Sequence, residues 1–505
     1  MSPDPDFALH APAPPDGRSR WRLIGLRLIP VALAAVVYAP IVDNYFWGDD
    51  FLTLFRLRDL DRFEYLMRPQ GSHLYAATGA VFWAADSLFG PHPRGFFCIA
   101  LFSHLLDVAL LFAVIRRLAG SERLACLGAT LWGTSPVLEA SLGWMSVYGH
   151  VLVATAILAL LVHLARLADG ARLRPFAPLL WAALLFVAAT SFGVGIGIGL
   201  VMPLAAWLIL PPGRQRLGAV AALAVLAIGV AVLYLGTLRY FSQPGSGAIV
   251  RGLLRIWEPA LGFTVHLFGY GLARALSGTL GERLYYPNGI AVAIAVGGLG
   301  LLIAGALFGP PPTWRRILAV LVLALGGYGM VAVGRAAYFG GGAAAGRVDR
   351  YHYVGLALLV LACCIALAGL AARLRLREWV KDGLLELAIG ALALGYARST
   401  RVIDHHLDFQ RQTRSVIEAI ARAIEAVPPG HPAYVSNSVF VAMGPLYANA
   451  KPIFPGWSGV FVIFYPANVV RGRPVYFVEP DPTIVASLRG RRTDGLLVSE
   501  IPRAP

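Results

Sequence analysis

The sequence predicts a polytopic α-helical membrane protein, with about eleven transmembrane helices and a small α/β domain after the last of them. Three observations carry that expectation. Of 505 residues, 57% are hydrophobic and only 14% charged, where a soluble domain carries about a quarter charged residues; the mean hydropathy is +0.66. Apolar runs at 23–42, 217–235, 290–308 and 354–372 approach or exceed the roughly 18 residues that span a bilayer core. The arginines fall in short clusters between such runs: Arg116, Arg117 and Arg123; Arg166, Arg172 and Arg174; Arg214 and Arg216; Arg315 and Arg316; Arg373, Arg375 and Arg377 with Lys381. Cytoplasmic loops have that distribution under the positive-inside rule. It accounts for the net charge of +15 without a basic binding face, and points away from nucleic acid as a partner.

With the basic loops placed in the cytoplasm, the elements follow in order. Residues 1–21 form a polar, proline-rich cytoplasmic tail. The apolar run that follows is long and has no small-residue cleavage site after it, so it reads as an uncleaved first span at 22–42. A long outer loop, 43–93, holds an amphipathic piece (51–66) and a second helix (73–89). Spans are expected at 94–115, 122–138, 147–166, 177–192, 194–210 and 217–238. Segment 258–280 carries a polar stripe of Glu258, His266, Tyr270 and Arg274 at multiples of four, one helical face. Its crossing would also break the charge alternation, so it reads as a helix lying on the outer surface. Spans at 289–308, 315–334, 351–372 and 383–398 complete the bundle, 22–400. Residues 401–505 are expected outside as a helix (402–426) and short strands (433–436, 475–478, 496–498). The four cysteines, Cys98, Cys126, Cys363 and Cys364, lie in apolar runs without metal-knuckle spacing.

Chemistry is expected on the outer face. Trp47-Gly48-Asp49-Asp50-Phe51 places two adjacent carboxylates just beyond the first span of a chain poor in acids. Such a pair can accept the proton of an incoming hydroxyl or hold a metal on a phosphate, and neighbouring acids raise each other's pKa. Either acid can equally be the N-cap of the helix that follows. Arg350 stands at the lip of a span with Arg335, Arg347 and Arg274 near it, where a guanidinium either meets a phosphate or snorkels to lipid headgroups. Glu139 follows Pro136 on an outer turn, where it assists an acceptor, joins a metal or is solvated. His73, His150, His266 and His352 are expected on the same side, without a close ligand pair on one helix. A divalent metal (Mg or Mn) on Asp49 and Asp50 stays open. His104 and Asp107 are polar at mid-depth and share a helical face.

These residues carry a resemblance. An acidic pair in the first outer loop resembles the shared sign of the glycosyltransferase C superfamily, among them protein O-mannosyltransferases and their bacterial relatives. Arg68-Pro69 and the helix from His73 look like the continuation of that loop. Pro136-Val137-Leu138-Glu139, Trp144 and Gly149-His150 resemble the proline–glutamate motif of transmembrane O-mannosyltransferases with tetratricopeptide repeats. Arg350-Tyr351-His352-Tyr353 resembles their arginine–tyrosine motif. The chain departs from those relatives at His150, where they carry arginine, and in lacking the repeats. The resemblance implies a cell-membrane enzyme that moves a sugar from a polyprenyl-phosphate donor to an acceptor glycan, lipid or protein hydroxyl on the outer side, with inversion. Asp49, Asp50 and Glu139 would then be catalytic, and Arg350, Tyr351, Tyr353 and Arg68 would bind the donor phosphate. His73, His150, His266, Arg274 and His352 would contact substrate. Two other readings stand beside it: a transporter or flippase of lipid-linked sugars, which ordinarily needs charges or broken helices at the midplane, and a non-catalytic membrane scaffold, for which the acid pair would be dispensable.

Overall fold

The computed structural model describes residues 17–47, 49–69, 73–241, 257–277, 288–342 and 346–374. It also describes isolated positions between 411 and 428 and the segments 433–436 and 475–478. Helix α1 (Gly17–Tyr38) runs into a short 3-10 turn. The first loop carries α2 (Asp49–Asp59), α3 (Arg62–Met67) and α4 (Ala76–Phe89). Then follow α5 (Pro93–Ala119), α6 (Glu122–Gly133), the single turn α7 (Glu139–Leu142), α8 (Gly149–Ala168), α9 (Ala177–Ser191), α10 (Gly193–Ile209) and α11 (Arg214–Phe241). The series ends with α12 (Trp257–Ser277), α13 (Asn288–Phe308), α14 (Pro312–Phe339) and α15 (Tyr353–Leu374). The chain is a multi-pass membrane protein: among the described residues seven helices are long and apolar enough to cross a bilayer, and α9 and α10 are shorter apolar helices.

The bundle is organised around α15. Every residue from Tyr351 to Ala366 is buried, as expected for a helix that is apolar all round; α5, α6, α8, α12, α13 and α14 surround it. Backbones approach closely where small residues meet: a Cβ on Gly197 of α10 would fall on the Gly326 carbonyl of α14, the small-residue packing of membrane helices. The basic clusters converge on one face. Arg117 pairs with Asp169 at 2.7 Å, Arg27 and Arg116 share Glu122, and Arg316 donates to the Leu118 carbonyl at the end of α5, a cation on a helix C-terminus.

Two expectations are corrected. The helix expected at 122–138 stops at Gly133, because Pro136 disfavours helical backbone at Ser135. The chain then folds inward rather than forming a solvated turn: Ser135, Glu139, Ser141 and Met145 are all buried, and irregular backbone at this depth is tolerated because protein surrounds it. Helix α12 turns only the start of its polar stripe, Glu258, to solvent and buries the end of it. Tyr270 and Arg274 are buried against α13, α14 and α15, where Arg274 finds Asp349 and the Tyr270 hydroxyl accepts from Arg347. The expected span at 383–398, most of the 402–426 helix and the strand at 496–498 lie outside the described residues. Ala433–Ser436 and Val475–Val478 pair as two parallel strands. A cavity of about 620 Å³ is lined by Asp43 to Tyr45 and Pro91 to Arg94 of the first loop together with Arg411, Arg414 and Glu418, so the start of the C-terminal region sits on the loop-bearing face.

Candidate active site

The acid pair divides its labour. Asp50 is fully buried and spends its carboxylate on structure. It accepts from the Trp47 N–H at 3.0 Å, the reach-back of a capping box, and from the backbone and hydroxyl of Ser146, the latter at 2.7 Å. The first loop is thereby sewn to the buried segment before α8, a seam reinforced by Trp144, whose indole donates to the Trp47 carbonyl. Asp49, one residue earlier, has no side-chain partner among the described residues and is open to solvent. Crowding by protein raises its pKa, against the opposing pull of Arg350, Arg56 and Arg335.

Arg350 sits in a loop that is fixed from several sides. Ser141 donates to the Arg350 carbonyl at 3.3 Å, Asp349 is tied to Arg274, and His352 bridges the Gly346 carbonyl and the Tyr328 hydroxyl. Because a carbonyl only accepts, His352 Nε2 carries the proton and Nδ1 accepts from Tyr328. The Arg350 guanidinium lies over Trp144 and Tyr351, 5.6 and 5.1 Å from their ring centroids. Neither Arg350 nor Arg335 closes an ion pair among the described residues.

A third wall comes from helix ends. The N-termini of α4, α8 and α10 meet where the Thr78 hydroxyl donates to the Ser191 carbonyl, and a Cβ on Gly149 would fall on both groups. Their cap residues are Tyr75, Tyr148 and Phe192, and none supplies a side-chain acceptor. Three positive dipole ends are thus left without the usual cap. Beside them, His73 and His150 stack on Phe192 at 4.8 and 4.1 Å. His73 Nδ1, both ring nitrogens of His150 and the Tyr351 hydroxyl are buried with no partner among the described residues; an unmade buried hydrogen bond costs about 1–3 kcal/mol, which a ligand relieves. Burial and Arg335 together lower the His73 pKa to about 4. Arg350, His73 and Arg335 are the charged or titratable neighbours of His150.

Of the residues singled out in the sequence, Asp49, Arg350, Tyr351, His73 and His150 converge, and Arg335 joins them. The others are engaged in other contacts. Arg68 is exposed and paired with Glu64 at 2.7 Å. Tyr353 is buried, its hydroxyl 2.9 Å from His104 Nδ1 and 3.1 Å from Asp107, so the mid-depth pair meets through a tyrosine. Arg274 and His352 hold the Arg350 loop, and His266 packs against Gly346. Glu139 is buried rather than solvated. Among the described residues no three His, Cys, Asp or Glu side chains are grouped as metal ligands. Phe192, Tyr75 and Ser146 give no sequence signal of a site, because helix ends bring them there.

Two buried acids make the fold pH-sensitive. Burial lifts Asp50 to about 7, against its hydrogen bonds from Ser146 and Trp47. Burial, with Asp349 adding, lifts Glu139 to about 8. The folded state then binds these protons more tightly than the unfolded chain. The stability they contribute is complete below the ordinary carboxylate range and is lost as pH rises through about 7 and about 8. Thermal unfolding in detergent should therefore move to lower temperature between pH 5 and pH 9, and the drop should shrink in Glu139→Gln. A midpoint that rises with pH would contradict this burial.

No protein-family model and no curated protein sequence matches the chain. Solved structures do. ArnT from Cupriavidus metallidurans, bound to undecaprenyl phosphate, superposes with a TM-score of 0.50 at 14% identity, over 93% of this chain and 88% of that one. The chain shares the fold of that structure. An Archaeoglobus fulgidus oligosaccharyltransferase tethered to an acceptor peptide superposes with a TM-score of 0.42 at 13% identity, over 81% of this chain and 58% of that one.

Proposed function

We propose that the chain is a membrane glycosyltransferase that moves a sugar from a polyprenyl-phosphate donor to an acceptor hydroxyl at the outer face. The observation that carries this reading is an uncommitted carboxylate, Asp49, that has Arg350 and Arg335 as electrostatic neighbours. A phosphodiester linking a sugar to an isoprenoid is an anion, and two guanidiniums with three uncapped helix N-termini supply what it needs. The fold likeness to an enzyme that holds undecaprenyl phosphate supports the same donor class.

In this mechanism the acceptor oxygen forms a bond to the anomeric carbon as the bond from that carbon to the phosphate oxygen breaks. The bonding pair leaves on the phosphate, where Arg350 and Arg335 meet the added charge. The acceptor proton passes to Asp49. A single displacement inverts the anomeric configuration. Asp50 holds the loop that carries Asp49 and takes no proton in the step. Tyr351, whose hydroxyl has no partner among the described residues, is placed to bond the phosphate, whereas Tyr353 and Arg68 are occupied elsewhere. A translocation mechanism is less well supported, since the mid-depth polar groups His104, Asp107 and Tyr353 satisfy one another.

The direct test is transfer of labelled sugar from a polyprenyl-phosphate donor by the full chain in proteoliposomes, with membrane extract as acceptor source. Release or transfer of label that depends on Asp49 supports the enzyme; label that stays on the lipid and only changes leaflet supports a flippase. Sidedness has its own check. A reporter fused after Pro505 should signal from the extracytoplasmic side, since Arg411, Arg414 and Glu418 line a cavity with the first loop. A cytoplasmic signal would invert the assignment.

A further inference from the structure

We infer that the wall made by His73, His150 and Phe192 receives the donor's sugar, and that this sugar is uncharged and engages the wall through its hydroxyls. The inference rests on the polyprenyl-phosphate reading above and adds the sugar class to it. Its starting point is His150, which is fully buried in the first turn of α8 and keeps both ring nitrogens without a partner among the described residues. His73 adds a third unpaired nitrogen, set against Gly193 at the start of α10, where a Cβ would lie 2.9 Å from it.

The chemistry of a neutral imidazole selects what can pair it. Such a ring offers one N–H and one lone pair. An ammonium group only donates and leaves the N–H unmet, and a carboxylate only accepts and leaves the lone pair unmet. A hydroxyl donates and accepts, so neighbouring sugar hydroxyls complete both rings. His73 is held in the neutral form by burial and by Arg335, and the charged groups that act on His150 are Arg350 and Arg335.

The surrounding field points the same way. Among the described residues Asp49 is the acid with Arg350, Arg56 and Arg335 as electrostatic neighbours, and the positive ends of α4, α8 and α10 add to the cations. An amino sugar would bring a positive charge into this field and compete for the one base. A uronic acid would compete with the phosphate for the same guanidiniums. Phe192 stacks on both imidazoles and is the side chain that a sugar ring displaces, offering an aromatic face in return.

The test compares binding of four probes to the full chain in detergent: bare polyprenyl phosphate, and the same lipid phosphate joined to glucose, to its amino-sugar counterpart and to glucuronate. The glucosyl lipid should bind at least tenfold more tightly than the amino and acidic forms, and more tightly than the bare phosphate. Tighter binding of either charged sugar, or equal binding of all four, overturns the inference. Failure of every probe, bare phosphate included, overturns the donor reading on which it stands. His150→Phe should weaken the glucosyl lipid about tenfold and leave bare polyprenyl phosphate unchanged, while His150→Gln, which keeps one donor and one acceptor, should restore most of the binding. Parallel losses for both lipids in His150→Phe would place His150 on the phosphate instead. Should His150→Phe fail to fold, the same comparison of glucosyl lipid with bare phosphate is made on His73→Phe, with the same expected and overturning results.

Discussion

Asp49→Asn should lower sugar transfer about 10²–10⁴-fold, the usual worth of a general base, with expression and thermal midpoint close to wild type. Asp49 is solvent-open and its side chain makes no hydrogen bond among the described residues, so the fold loses little with its charge. Asp50→Asn should do the reverse in kind. Its carboxylate accepts from Trp47 and Ser146 at three points, and an amide has one acceptor oxygen for them. Each lost bond is worth about 0.5–1.5 kcal/mol, so the midpoint should fall and activity should fall as a consequence of the displaced loop. Transfer assays and melting curves on both variants separate the roles. Wild-type turnover in Asp49→Asn would remove this acid from the mechanism.

Arg350→Ala should reduce transfer roughly tenfold to a hundredfold, the equivalent of one charge-assisted hydrogen bond, and Arg350→Lys should recover only part of it. The guanidinium lies over Trp144 and Tyr351, and lysine keeps the charge while losing the planar fork that stacks there and grips a phosphate at two points. With donor concentration varied, the loss should appear mainly in KM if Arg350 holds the ground-state phosphate, and in kcat if it meets the departing charge. An arginine that only snorkels to headgroups is replaced silently by lysine. Unchanged kinetics in both variants would therefore make Arg350 a lipid anchor.

The bundle was legible in the sequence because bilayer length and loop charge are one-dimensional signals. The limits of α5, α8, α11, α13, α14 and α15 fall within several residues of the expected spans. The stretch from Thr134 to Tyr148 was not, since hydropathy does not distinguish an apolar turn in lipid from one folded into protein. The polar stripe of α12 misled for a related reason: a four-residue period says that Tyr270 and Arg274 share a face, and only the position of Asp349 and Arg347 shows where that face points. At the site, adjacency in sequence made Asp49 and Asp50 look equivalent. The backbone N–H groups of Trp47 and Ser146 separate them, the latter 96 residues away. Three helix ends meeting at Ser191 left no mark in the sequence at all, because an uncapped N-terminus is defined by a residue that is missing.

Tyr353 bears on where along the bilayer normal the reaction takes place. Its hydroxyl is caught between α5 residues His104 and Asp107, and its carbonyl accepts from Trp132 of α6. Helix α15 can neither slide along its axis nor turn about it without breaking all three. Three residues earlier, in a tight 3-10 turn that rises about 2 Å per residue, stands Arg350. The pinned tyrosine therefore works as a depth gauge: it sets the altitude of the guanidinium relative to the hydrocarbon, and a lipid whose headgroup floats at a different height has to rise or sink to meet it.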